Sequence, residues 1–502
     1  MGKHVSKSKL LAFRRCPKRL WLEVHRPDLR VDSATSQAAF AVGRTVGDIA
    51  RHVYGPEGCD VLLDAQKDGY APTFSRTQDL LAGTQPVFEA GFQIDGALSF
   101  ADVMLPAGEA AWRMVEVKSS TEVKPYHRDD AAIQSYIARM SGTNLTGIAV
   151  AHIDSSWVYP GDGDYAGLLH EEDVTAEAFA REAEVRGWLQ EAQHVAASKQ
   201  EPQVSLGDHC RTPFECGFCT YCERDLPVAE VPASQLPRQS PKLKAWLADN
   251  DVIELAEVPD HLLNPKQLRV KQAALSGETY FDREGARAAL AGHALPAYFM
   301  DFETYQFAVP IWKGTRPYQM IPFQYSVHRL DEHGALEHRG FLDLSGNDPS
   351  LAFATQLIED CGDSGPIYVY NAGFENSRIK ELAERFPALA PKLLALVARV
   401  VDLLPIAREH FYHPSQMGSW SIKKVLPAAC PGDPALDYHN LDGVQHGGMA
   451  MDAFIEAIHP GTTPERKTEI ERQLTAYCKL DTYAMIKLWW AFGGNKQEGS
   501  KK

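Results

Sequence analysis

Three groups of residues in this 502-residue chain have the types and spacing for chemistry. The first is Asp102, Glu116, Lys118 and Gln134. The stretch Ser99–Ser119 reads as two short strands joined by a hairpin-like turn, with Asp102 on one and Glu116-Val117-Lys118 on the other. Glu116 and Lys118 are two apart, so they share a strand face, and Asp102 can meet them across the pair. Two carboxylates at a strand end suit Mg²⁺ or Mn²⁺, which prefer oxygen ligands. A metal there polarises a phosphate and activates water, and the lysine can stabilise the charge that develops. Glu-x-Lys alone describes many solvent-facing strands. Glu89 before it, and Gln134 and Tyr136 on the helix after it, set this one apart.

The second group is Asp301, Glu303, Glu375, Tyr477 and Asp481. Asp301 and Glu303 share one face of an otherwise apolar strand, Tyr298–Thr304. Charges in a core need compensation, which a pair of divalent ions supplies. Tyr477 and Asp481 are four apart and therefore on one face of a helix. Glu375 follows Tyr370-Asn371 where a strand ends and a helix opens. The third group is made of cysteines. Nine occur, at 16, 59, 210, 216, 219, 222, 361, 430 and 478, and four of them crowd into 210–222 as C-x5-C-x2-C-x2-C. Thiolates packed this closely suit an iron–sulfur cluster or zinc.

These residues need elements to hold them. Residues 4–24 have helical spacing in two pieces, with Pro17 able to start the second and Cys16 at the joint. Short strands are expected at 87–94, 98–105 and 112–117, a helix at 130–140, a strand at 145–152, and one long helix at 175–198 with Thr175 as its N-cap. Four prolines between Leu226 and Pro241 read as a linker. A second α/β pattern starts at Tyr298, with strands at 298–303, 323–330 and 367–371 and helices at 348–360, 375–385, 452–458 and 465–490. The expected organisation is a domain over 1–225, a linker with small helices over 226–296, a second domain over 297–492 and a tail over 493–502.

Composition narrows the classes. Hydrophobic residues make up 44% and charged residues 23%, as in folded proteins rather than disordered or collagen-like chains. No apolar run reaches the roughly 18 residues of a membrane span. The first residues, MGKHVSKSKL, lack the apolar core of a signal peptide. With an odd cysteine count, this points to a reducing, cytoplasmic setting. The net charge of −15 argues against a simple nucleic-acid-coating protein. Yet residues 1–30 hold nine Lys/Arg against Glu23 and Asp28, a local basic element able to engage phosphates.

The order Asp102…Glu116-Val117-Lys118…Gln134 resembles the PD-(D/E)XK nucleases of the RecB type, as does the run Glu-Val-Lys-Ser-Ser followed by a helix bearing Ala-Ile-Gln-Ser-Tyr. The resemblance implies a mixed sheet flanked by helices, with Asp102 and Glu116 on metal and Lys118 and Gln134 in catalytic roles. Relatives often carry a metal-touching histidine upstream, where this chain has Gly47, with His52 one helical turn further on. CRISPR-associated RecB-like nucleases and AddB-type helicase-nucleases hold a [4Fe–4S] cluster with one cysteine before the core and three after. Cys16, Cys210, Cys216 and Cys222 resemble that set, with Cys219 open as an alternative to Cys210. Such a cluster would staple the N-terminal helix to the end of the domain, placing Arg14, Arg15, Lys18 and Arg19 beside the cleft as nucleic-acid contacts.

Asp301-x-Glu303, the Asn-x-x-Phe-Glu run ending at Glu375, and Tyr477-x3-Asp481 resemble, in order, the three motifs of the DEDD 3′→5′ exonucleases of the ribonuclease-H-like fold. Glu375 stands where those have aspartate. Gly418–Lys423 is similar to their Ser-Leu-Lys segment. The resemblance implies Asp301, Glu303, Glu375 and Asp481 as metal ligands and Tyr477 as the residue positioning water. Together, the chain is similar to an uncharacterised bacterial family that joins the two nucleases. The function this implies is metal-dependent hydrolysis of DNA, on single strands or ends. The alternatives are an RNA or mixed-substrate nuclease, and a nucleic-acid-binding adaptor with one or both centres inactive.

Overall fold

The computed structural model describes residues 5–55, 58–61, 70–292 and 295–494. Of the expected tail, residues 495–502 lie outside these, as does Lys3 of the basic element. The chain is a multidomain α/β protein with several sheets and divides into two compact units. One comprises the described residues of Met1–Leu226 together with Phe307–Gln319. The other comprises those of Pro227–Gln306 and Met320–Lys502. Phe307–Gln319 thus leaves the second unit and returns, packing Ala308 and Val309 with Val46, Ile153 and Leu168 of the first. Among the described residues no helix is long and apolar enough to cross a membrane.

In the first unit, β1 (Val5–Ser6) leads into α1 (Lys7–Arg15) and α2 (Pro17–His25). Ser6 caps α1 by accepting from Lys9 N at 3.3 Å. The break falls at Cys16, which is extended because a residue before proline avoids the helical region. Next come α3 (Ala34–Tyr54), β2 (Cys59–Asp60), α4 (Tyr70–Leu81), β3 (Val87–Ile94), β4 (Ala97–Pro106) and β5 (Trp112–Lys118). Then follow α5 (Pro125–Met140), β6 (Leu145–Ile153), β7 (Leu169–Asp173), α6 (Thr175–Ala180), α7 (Glu182–Ala197) and α8 (Cys219–Glu223). The sheet runs β2-β3-β4-β5-β6-β7, with β1 added parallel to β4. β5, α5 and β6 form a crossover joining parallel strands. Period-two alternation along β5 sends Val115 to one face and Met114, Glu116 and Lys118 to the face under α5. The long helix expected at 175–198 is two, broken at Arg181. Thr175 is not its cap but its first residue, because its hydroxyl is tied to the Ile148 backbone of β6.

The second unit begins with α9 (Pro241–Asp249), α10 (Pro265–Ser276), β8 (Tyr280–Phe281) and α11 (Arg283–Leu290). The proline-rich stretch before α9 places Ala233 and Leu236 in a cluster with Leu243, Leu255 and Val258. The main sheet uses β9 (Ala297–Gln306), β10 (Met320–Leu330), β11 (Leu336–Leu342), β12 (Ile367–Val369) and β13 (Val400–Asp402), in the order β11-β10-β9-β12-β13. The helices are α12 (Ser350–Cys361), α13 (Gly373–Arg385), α14 (Ala390–Val397), α15 (Leu403–His410), α16 (Ile422–Ala429), α17 (Gly447–Ile458) and α18 (Pro464–Ala491), with β14 (Phe411–Tyr412) paired to β8. Tyr298, Met300 and Phe302 pack with residues of α12, α13 and α14. The alternate residues of β9, Phe299, Asp301 and Glu303, face α18, where Phe299 meets the Trp489 ring.

Candidate metal centres

The second unit brings Asp301, Glu303 and Asp481 together. One carboxylate oxygen from each lies within 4.8 Å of the others, and among the described residues this is the one such group. The central strand β9 supplies two, opposite Ser326 and Gln324 of β10. Helix α18 supplies the third and is pinned across the sheet. Gln324 donates to Leu474 O at 2.9 Å, and the Thr482 hydroxyl lies 2.7 Å from Ser326 Oγ and 2.8 Å from His328 Nδ1. Burial, then repulsion among the three carboxylates, holds Asp301 well above the ordinary carboxylate range, and Glu303 and Asp481 move up with it. Three acidic groups this close cannot all ionise without a cation.

Glu375 stands in the first turn of α13, 2% exposed, and its Oε2 has no hydrogen-bond partner among the described residues. Burial pushes its carboxyl up to about 8. Its place depends on Asp402, whose carboxylate accepts from Asn371 N, Ala372 N and Leu404 N at 2.9, 3.0 and 2.9 Å. This clamp holds Asn371 at φ 84°, a conformation asparagine tolerates better than most residues. Tyr477 is buried, and its hydroxyl accepts from Lys423 Nζ at 3.3 Å. Tyr438, which the spacing did not single out, donates to Asp481 Oδ1 at 2.5 Å. No local pattern marks Tyr438, because the long loop before α17 delivers it.

The first unit assembles its residues differently. The β4–β5 ladder runs from Pro106↔Trp112 to Val103↔Val115, and beyond it the Asp102 carboxylate accepts from Val117 N at 2.7 Å. Glu116 is 1% exposed, beneath α5. Lys118 Nζ donates to Glu116 Oε1 at 2.6 Å and to Asp130 Oδ2 at 2.7 Å. Gln134 is fully buried and donates to Glu116 Oε2 and, at 3.1 Å, to Asp130 Oδ1. Lys7 of α1 also enters, 2.9 Å from Glu116 Oε1 and 3.3 Å from Asp130 Oδ1. Burial and the neighbouring carboxylates Asp102 and Asp130 push Glu116 up to about 7. Burial would raise Asp130 too, but the two ammonium groups outweigh it and hold Asp130 well below its usual value. Glu89 is bound by Arg51 at 2.8 Å, and His52 is exposed. Sequence reasoning missed Lys7 and Asp130. Asp130 had a signal, one helical turn before Gln134, whereas Lys7 is more than a hundred residues from its partners.

Cys16, Cys210, Cys216, Cys219 and Cys222 line one cavity with Arg15, Lys18 and Arg19. All five thiols are free. Cys219 is buried, with its thiol 3.5 Å from the Cys210 carbonyl. The four basic residues expected to meet nucleic acid have partners inside the unit. Arg14 lies 3.5 Å from Asp129 and over the Trp188 ring. Arg15 donates to the carbonyls of His209 and Phe214. Lys18 pairs with Glu201 at 2.8 Å and Arg19 with Glu23 at 3.0 Å.

Residues 298–421 match a family model described as a domain of unknown function, DUF2779. The match takes in Asp301, Glu303 and Glu375 and ends before Tyr477 and Asp481. No curated protein matches the chain. Among solved structures, the one described as the crystal structure of SSO0001 is 15% identical, with a TM-score of 0.24, and the alignment covers 45% of this chain and 89% of that one.

Proposed function

We propose that the chain is a metal-dependent nuclease that hydrolyses DNA, on single strands or ends, with a RecB-like PD-(D/E)XK unit followed by a ribonuclease-H-like DEDD exonuclease unit. The observation that carries this is the convergence of Asp301, Glu303 and Asp481 within 4.8 Å, beside the unpartnered Glu375 Oε2. These oxygens fit a hard divalent cation, Mg²⁺ or Mn²⁺, which they would hold. A divalent ion supplies charge neutralisation at phosphate and a more acidic water. Lys423 donates to the Tyr477 hydroxyl, which in turn donates to Asp481, and this pair of bonds would hold the hydroxyl beside a water at the carboxylates. Tyr438 fixes Asp481. Arg238 and Arg408 line a cavity of about 630 Å³ with Tyr370, Asn371 and Ser421, two residues from Lys423. Among the described residues Arg408 has no carboxylate partner, so this groove suits the phosphates of a strand leading to the centre.

In the first unit, Asp102 and Glu116 would hold the metal, and Lys118 lies close enough to Glu116 to meet a phosphate bound there. The cysteine set favours a [4Fe–4S] cluster over zinc. A tetrahedral zinc at about 2.3 Å from each sulfur brings thiolates within about 4 Å of one another. No three cysteine sulfurs among the described residues lie within 4.8 Å. A cluster gives each thiolate its own iron and needs wider spacing.

The test is hydrolysis of end-labelled single-stranded DNA and RNA in Mg²⁺ or Mn²⁺. Asp301→Asn should abolish one activity and Lys118→Ala the other, each by about a hundredfold or more. If both variants keep full activity on every substrate, the nuclease reading fails. Preference for RNA would move the substrate class and leave the chemistry in place.

A further inference from the structure

Lys7 is electrostatically misplaced as a helix residue. It lies in the first turn of α1, where the helix dipole disfavours a positive charge, and no acidic residue shares that turn. What holds it is tertiary. β1 fixes its backbone, with Val5 N donating to Gly96 O at 2.9 Å and Val5–Ser6 paired to Ala97–Leu98. The side chain, 18% exposed, then reaches Glu116 and Asp130, whose side chains are 1% and 5% exposed. Three carboxylates, Asp102, Glu116 and Asp130, face two ammonium groups, Lys7 and Lys118, so with all three ionised the centre carries one negative charge. A divalent ion in place of the Lys7 ammonium leaves the centre neutral. The same ion added beside Lys7 leaves it positive, which a buried site disfavours. The Glu116 oxygen nearest Lys7 also serves Lys118, so a metal gains that oxygen only at an ammonium's expense.

We propose that Lys7 is a displaceable counter-cation of the first centre, and that a divalent metal enters by exchanging with its ammonium group. Lys118 stays, because its contacts with Glu116 and Asp130, at 2.6 and 2.7 Å, are shorter than those of Lys7, at 2.9 and 3.3 Å. The proposal rests on the reading of Asp102 and Glu116 as metal ligands.

The experiment uses the full chain carrying Asp301→Asn and Asp481→Asn, which removes ion binding at the second centre. Mn²⁺ affinity is measured by titration of the free-ion paramagnetic resonance signal, with thermal melts alongside. Lys7→Gln should bind Mn²⁺ at least tenfold more tightly, and Lys7→Arg, which keeps the charge, should not. In the chain with Lys7 intact, acylation of Lys7 by an amine reagent, read by mass spectrometry, should rise severalfold when Mn²⁺ is added. This readout needs no substitution at Lys7. Unchanged or weaker Mn²⁺ binding in a folded Lys7→Gln variant, equal tightening in Lys7→Arg, or Mn²⁺-independent labelling overturns the exchange. If no Lys7 form shows Mn²⁺ binding that Glu116→Gln removes, the metal reading of the centre falls with it.

Discussion

A carboxylate oxygen buried without a donor costs stability unless a cation takes the space beside it. Glu375 is in that position, and the consequence depends on pH. Its folded-state pKa is raised by burial, from an ordinary 4.5 to about 8. Between those values the folded protein keeps a proton that the unfolded chain releases. Its contribution is therefore full below pH 4.5 and is lost as pH rises towards 8, at up to about 1.4 kcal/mol per unit. Urea melts in a metal chelator from pH 5 to 8 should show this fall. Glu375→Gln should make it shallower, because an amide does not titrate while Asp301, Glu303 and Asp481 still do. With saturating Mg²⁺ the fall should disappear from this range, since metal displaces the proton and Glu375 is then ionised in both states. Equal slopes for the two proteins would show that Glu375 does not ionise there. Asp-x-Glu and Tyr-x3-Asp made the other residues of this centre legible, because strand and helix periodicities are local. Tyr438 and Lys7 were not legible, since each reaches its partners through a fold.

At the scale of elements, the second centre depends on the turn between β12 and α13. Asp402 ends β13, caps α15 through Leu404 N and grips Asn371 N and Ala372 N. Asp402→Ala strands these three donors and should cost about 2–4 kcal/mol. It should also weaken Mn²⁺ binding, because Glu375 follows the turn by three residues. Asp402→Asn keeps the acceptor that serves Asn371 and Leu404 and should cost roughly a third as much. Calorimetry with Mn²⁺ titration checks both, and equal losses for the two substitutions would exclude the clamp. The strands and helices around this turn were legible because apolar periodicity matched burial. The boundaries that shifted did so where tertiary bonds intervened, as where Thr175 is drawn to β6. α3 was missed because only Val46 and Ala50 of its 21 residues are buried, which leaves little apolar period to read.

For the whole molecule, the proposed function raises the question of how a chain of net charge −15 would hold a polyanion. The sequence placed the contacts in the basic N-terminal segment, yet Arg14, Arg15, Lys18 and Arg19 each have a partner within the unit. Arg15 alone serves two backbone carbonyls and lies over the Phe214 ring, fastening α1 to the segment that carries the later cysteines. If Arg14, Arg15, Lys18 and Arg19 all neutralised phosphates, replacing them with glutamine would flatten the salt dependence of single-strand binding by roughly two to three units, at about 0.7 per phosphate. Because they are engaged within the unit, the expected change is under about one unit. The loss should fall on stability instead, about 2–4 kcal/mol from the broken hydrogen bonds and ring contacts. Arg238→Gln with Arg408→Gln should do the reverse, lowering the slope by about 1.4 with little effect on melting. Anisotropy of a labelled single strand between about 50 and 200 mM salt reads the slopes. A steep loss of slope in the quadruple variant at unchanged melting temperature would return the phosphate contacts to the N-terminal helices.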